Sequence, residues 1–172
     1  MKKLFLVAAL VVAGFVSANA QFTFGAGLRL GLPVGDFSET HSFGVGGELQ
    51  GEYNFSEKFS GVITTGYTSF FGKTIDFGFG EVDVDAVGLI PIIAGVRVYP
   101  STSFFIGAQA GYGILTGGGE SEGAFMYQPQ IGYNAEKFQL ALNYNALSKD
   151  GSTLGHIGLT GIFKFGGSGG SH

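Results

Sequence analysis

From Phe43 to Phe55 every second residue is Phe, Val, Gly, Leu, Gly, Tyr and Phe, while Ser42, Gly44, Gly46, Glu48, Gln50, Glu52 and Asn54 fill the positions between. A period of two is the mark of a β-strand with one apolar and one polar face. The same alternation returns along the chain, and nowhere does its apolar face carry a charge. That property restricts the fold more than any other, because the apolar face must be hidden either in the core of a soluble protein or against lipid.

Strand character is expected over Phe22–Leu32, Ser42–Asn54, Phe59–Phe71, Ala86–Tyr99, Ser103–Leu115, Gly123–Tyr133, Phe138–Leu147 and Gly155–Phe165. These stretches are long for soluble strands and close to the length that a tilted strand needs to cross a bilayer. Glycine, 32 residues in all, recurs too often for good amphipathic helices. The connections are expected to alternate in length. Short ones follow the second, fourth and sixth stretches (Phe55–Lys58, Pro100–Thr102, Asn134–Lys137). Longer ones follow the first, third, fifth and seventh (Pro33–His41, Gly72–Asp85, Thr116–Glu122, Ser148–Leu154). Short turns at one end and longer loops at the other describe an up-and-down antiparallel barrel.

Counting residues by face decides which side meets water. The apolar face collects Leu28, Leu30, Leu49, Ile63, Ile92, Val96, Ile106, Ile131, Leu140, Leu142, Ile157 and Leu159, with many Phe and Tyr. The opposite face carries Arg29, Glu48, Gln50, Glu52, Thr64, Thr68, Arg97, Gln109, Gln128, Gln130, Gln139, Asn143, Asn145, His156, Thr160 and Lys164 among glycines. A soluble surface is about a quarter to a third charged, far above the five charges of that face (Arg29, Glu48, Glu52, Arg97, Lys164). An eight-stranded lumen has no room for the apolar set. Turned the other way, glycines leave space for long polar side chains inside, and the apolar face meets lipid. There a charge at mid-depth would cost ~2–4 kcal/mol. Aromatic residues are expected in two girdles, one at the short-turn end (including Tyr53, Phe59, Tyr99, Phe104, Tyr133 and Phe163) and one at the other (including Tyr67, Phe70, Phe71, Tyr112 and Tyr127).

The ends fit export. Lys2-Lys3, an apolar run from Leu4 to Val16 and Ser17-Ala18-Asn19-Ala20 have the layout of a cleaved signal peptide over residues 1–20. The barrel is expected over 21–165. The Gly-Gly-Ser-Gly-Gly-Ser-His run at 166–172 reads as a flexible tail or an added linker. Cysteine is absent, so no disulfide supports the fold.

The eight Gly/aromatic strands, the Ala-Asn-Ala-Gln junction and the last strand, His156-Ile-Gly-Leu-Thr-Gly-Ile-Phe-Lys-Phe165, resemble the small bacterial outer-membrane β-barrel domain family. This is the OmpA/OmpX-like and opacity-protein-like group, often labelled porin family. The last strand is similar to the terminal signal read by the barrel-assembly machinery. The resemblance implies an all-β, eight-stranded up-and-down antiparallel transmembrane β-barrel in a Gram-negative outer membrane, monomeric, amid lipid and lipopolysaccharide.

Two groups are candidates for function. Arg29, Glu48, Glu52, Arg97 and Lys164 form either a polar pore lining or an ion network that plugs the barrel, since buried charges persist only when paired. In the longer loops nine carboxylates (Asp36, Glu39, Asp76, Glu81, Asp83, Asp85, Glu120, Glu122, Asp150) face two lysines, Lys73 and Lys149. Glu81, Asp83 and Asp85 alternate, so an extended chain points all three the same way. That suits either a divalent cation or a solvated strand extension, and it lacks the Gly and bidentate-Glu order of a defined calcium loop. The other face of this segment, with Phe77 and Phe79, suits an adhesive edge. His41 and His156 have no sequence-adjacent acid and nucleophile, and no metal, phosphate or redox motif is present. The acidic balance of −4 argues against nucleic acid. The expectation is therefore a non-enzyme without cofactor or metal, acting in membrane integrity or surface contact through its loops. A small-solute channel is the alternative, and a lipid A-modifying enzyme stands further off.

Overall fold

The computed structural model describes residues 22–165, together with the isolated positions Lys3 and Leu6. The expected leader cleavage after Ala20 and the 166–172 tail lie outside the described residues. Eight long strands close into one antiparallel barrel: β1 (Phe22–Val34), β2 (His41–Asn54), β3 (Phe59–Gly72), β6 (Val87–Ser101), β7 (Phe104–Gly117), β8 (Glu120–Asn134), β9 (Phe138–Lys149) and β10 (Ser152–Phe165). Each pairs with its sequence neighbours, and β1 zips onto β10 from Phe24↔Phe165 to Val34↔Gly155. Closure leaves the barrel no free edge. Two short strands, β4 (Thr74–Asp76) and β5 (Glu81–Asp83), form a separate hairpin beyond the barrel. One helical turn, α1 (Phe37–Thr40), joins β1 to β2.

The faces fall as the alternation requires. Leu28, Leu30, Leu49, Ile63, Ile92, Ile106, Ile131 and Leu142 are exposed on the outside, while Arg29, Glu48, Glu52, Arg97, Gln128, Gln139 and Asn145 are buried inside. Leu28 is 74% exposed and its neighbour Arg29 1%. A water-soluble protein does not present an apolar belt around its whole circumference, so this is a transmembrane β-barrel with lipid as the solvent of its outer face. Proline breaks the ladder at two places. The β3–β6 register skips the two rungs at Ile90 and Pro91, and the β8–β9 register skips the two at Gln128 and Pro129, as expected beside a residue with no N–H to donate.

Two expectations are corrected. The connections of the distal end, opposite the chain termini, are not all long. Gly117 joins Glu120 through Gly118-Gly119, and Lys149 joins Ser152 through Asp150-Gly151. All four turn residues have positive φ, at 61°, 82°, 51° and 80°, the backbone of a tight hairpin turn that suits right-twisted strands. The strands simply continue through the segments expected to be loops. Phe70 and Tyr99, placed in the aromatic girdles by position along the strand, instead point inward, at 0% and 9% exposure. Their parity is that of Thr68 and Arg97, and parity overrides height.

The lumen is also less polar than expected. Its distal part is an apolar plug of Phe37, Phe70, Leu89, Ile93, Ala124, Met126 and Leu147, against which Leu115 and Leu154 pack. Phe37 enters it from α1 and meets Phe70 edge-on at 5.0 Å. Gly44 makes room: a Cβ there would lie 2.6 Å from the Phe70 ring.

Candidate functional site

Two buried arginines organise the middle of the lumen. Arg97 reaches inward from β6 and engages four acceptors on three other strands. Its Nη1 donates to Glu52 Oε2 at 2.9 Å and Gln139 Oε1 at 3.1 Å, and its Nη2 to Gln50 Oε1 at 2.7 Å and Gln130 Oε1 at 2.9 Å. The guanidinium carbon stands 4.4 Å from the Phe105 ring centroid, a cation–π contact. Gly107 leaves the space, since a Cβ there would sit 2.8 Å from Arg97 Cγ. Glu52 is held from all sides. Ser60 Oγ donates to its Oε1 at 2.7 Å, the Tyr99 hydroxyl donates to the same oxygen, and Gln139 Nε2 donates to Oε2 at 3.2 Å.

Nearer the distal end, Arg29 on β1 pairs with Glu48 on β2. Its Nη2 donates to Gln128 Oε1 at 3.0 Å and its Nε to Thr160 Oγ1 at 3.3 Å. Asn143 and Asn145 extend the chain, Asn143 donating to Thr160 Oγ1 at 3.2 Å and Asn145 to Asn143 Oδ1 at 2.6 Å. The two networks tie together strands that are not neighbours in the barrel. Charge-assisted bonds of this kind are the stronger ones. The fifth residue of the expected lumen group, Lys164, is half-buried at the terminal end, where its Nζ donates to Asn134 Oδ1 at 2.8 Å. Among the described residues the ion pairs are Arg29–Glu48, Arg97–Glu52 and, on the distal rim, Lys149–Glu122.

Two cavities open at opposite ends. The terminal one, about 470 Å³, is lined by Glu52, Asn54, Glu57, Tyr99, Gln139 and Lys164 among others. The distal one, about 540 Å³, lies above the apolar plug. Between them stand both arginine networks, His156 against Phe70 at 4.8 Å, and the plug itself. The aromatic and aliphatic part of this closure was missed from sequence, although Phe70, Leu89, Ile93, Met126 and Leu147 all sit at lumen parity. Extending the parity count from polar to apolar residues would have found it.

The acidic alternation is divided between the outer hairpin and the segment that leads back to the barrel. Glu81 lies opposite Asp76 and Asp83 opposite Thr74, whose hydroxyl donates to Asp83 Oδ1 at 2.6 Å. Asp85 lies beyond β5, and its backbone carbonyl accepts from His41 Nε2 at 3.3 Å. Among the described residues no group of three carboxylate, imidazole or thiol side chains converges to hold a metal. At the tip of the hairpin Phe77 N–H bonds to Gly80 O at 3.1 Å, and Phe79 is fully exposed at 102%.

No family model matches the chain, and no curated protein matches it. Solved structures do share the fold. Ail, the attachment invasion locus protein of Yersinia pestis, aligns with 84% of this chain and 97% of its own at a TM-score of 0.56 and 15% identity. Neisserial surface protein A aligns with 85% and 97% at 0.53 and 13%. The N-terminal β-barrel domain of Pseudomonas aeruginosa OprF aligns with 84% and 98% at 0.53 and 13%. Ail has also been solved with the heparin analogue sucrose octasulfate. This chain therefore has the fold of the small outer-membrane barrels, and at these identities the likeness concerns the fold alone.

Proposed function

We propose that this chain is a monomeric resident of a bacterial outer membrane, exported by a cleaved leader and folded there by the barrel-assembly machinery. Its apolar belt sits among lipid and lipopolysaccharide, its lumen is shut, and it works by surface contact through the distal rim. The observation that carries this reading is the division of labour in the lumen and rim. Arg29 and Arg97 are buried, bonded and backed by an apolar plug, whereas the rim offers nine carboxylates against two lysines, a balance of −7, and two exposed phenylalanines. The reading assigns the chain a contact role rather than an enzymatic one. Glu81, Asp83 and Asp85 act in this reading as part of an acidic contact surface rather than as metal ligands.

The sign of the rim selects the partner class. Like charges across an interface repel and opposite ones steer association, so the partner is a basic protein surface with an apolar recess, not a sulfated polyanion. Adhesion of cells displaying the barrel is measured on immobilised basic, neutral and heparin-coated surfaces. Binding is expected on the basic surface alone and is weakened by salt. Burial of two Phe side chains is worth about 1.5–3 kcal/mol each, so replacing Phe77 and Phe79 by Ser is expected to weaken it by roughly a hundred-fold or more. Adhesion indifferent to both substitutions, or preferring heparin, would remove the proposal.

A further inference from the structure

The distal cavity has a composition of its own. Its base is formed by Phe37, Leu115 and Leu154, the top of the plug, so it is a recess and not the entry to a channel. The residues that line it include Asp85, Glu120 and Glu122 and no lysine or arginine. Glu122 is already paired with Lys149, while Asp85 and Glu120 form no ion pair among the described residues. His41 closes one side. Its Nε2 donates to the Asp85 carbonyl oxygen, its Nδ1 lies 2.8 Å from Thr40 Oγ1 and its ring packs on Phe37 at 4.8 Å. Both ring nitrogens are engaged, so the imidazole serves as wall. A volume of about 540 Å³ lies in the range of small-ligand sites, roughly 300–1,000 Å³, where an apolar lining with a few placed polar groups is the usual pattern.

We propose that this recess binds small organic cations with an apolar body, such as an ammonium group on an aryl or short alkyl frame. The body lies on Phe37, Leu115 and Leu154, and the charge faces Asp85 and Glu120. A neutral analogue keeps the apolar contact and loses the charge pairing, and an anion meets two carboxylates at the mouth. The recess shares Asp85, Glu120 and Glu122 with the acidic rim but no lining residue with the Phe77–Phe79 tip. Filling its base at Leu154 therefore tests this site without touching the adhesive tip, and the Phe77 and Phe79 substitutions test surface contact without touching the recess.

The test is an amide NMR titration of the full chain in phosphocholine nanodiscs with phenethylammonium, phenylethanol and phenylacetate. Phenethylammonium is expected to shift the signals of Thr40, His41, Asp85, Val87 and Thr116 saturably. Its affinity is expected to exceed that of phenylethanol at least tenfold and that of phenylacetate further. Replacing the exposed pair, Asp85→Asn with Glu120→Gln, brings the cation down to the level of the alcohol. Leu154→Trp fills the base and abolishes the saturable shifts of both. Equal affinity for all three probes overturns the proposal, as does a cation affinity unchanged by the double substitution. Shifts that never saturate and follow outward residues such as Leu142 would show partition into lipid and overturn it as well.

Discussion

Arg97→Ala is expected to lower the unfolding free energy of the barrel by about 3–5 kcal/mol, the cost of leaving a buried charge without its partner. Removing the guanidinium leaves Glu52 in the lumen with donors only from Ser60, Tyr99 and Gln139. It also strands the amide oxygens of Gln50 and Gln130, which accept from Arg97. Urea unfolding in phosphocholine vesicles, followed by the mobility difference between unboiled and boiled protein on a gel, measures the loss. The double variant Arg97→Met with Glu52→Leu separates pairing from packing, because replacing both charges by apolar groups of similar volume is often neutral. It is expected to be more stable than Arg97→Ala alone. A single variant within about 0.5 kcal/mol of the parent, the usual range for an unremarkable surface change, would mean that the network does not hold the strands.

The second large effect lies on the opposite face. Leu142 is half-exposed on the outside of β9 and faces Ile131 and Leu159 across the neighbouring strands. Leu142→Arg is expected to cost about 2–4 kcal/mol, as for a charge near the bilayer midplane. On a water-facing surface the same change would be close to neutral. The control is Phe77→Arg at the hairpin tip, which lies outside the barrel and is expected to leave stability unchanged. The two substitutions assayed side by side report which surface is in lipid. Equal stability of both variants would contradict a lipid-facing belt.

The strand count and the direction of each face were legible because they rest on local alternation, where a one-residue slip would turn every apolar side chain inward. Leu28 and Arg29 illustrate how sharp the rule is. What failed was reasoning by height along the barrel. Phe70 and Phe71 are adjacent, so they cannot both face lipid, and Phe70 goes inside to meet Phe37 and His156. The tight distal turns were also readable in principle. Gly118-Gly119 and Asp150-Gly151 are residue pairs that favour positive φ, but ending each strand at its last apolar residue hid them. The pairing of particular charges was not legible. Arg29 stands opposite Gly46 in the β1–β2 register, and its partner Glu48 lies two residues along the strand. Which acid an inward arginine reaches depends on strand stagger, and stagger appears only when the barrel closes. The base of the distal recess depends likewise on α1, a single turn that delivers Phe37 into the lumen.

The closed lumen is tested most directly by planar-bilayer recording of the refolded barrel, with the gel-mobility shift as proof that it is folded. Silence at all applied voltages is the expected result, because both arginine networks and the apolar plug lie between the two cavities. Discrete current steps from folded protein, with ion selectivity altered in Arg97→Ala, would contradict it and make Arg29, Glu48, Glu52 and Arg97 the lining of a pore.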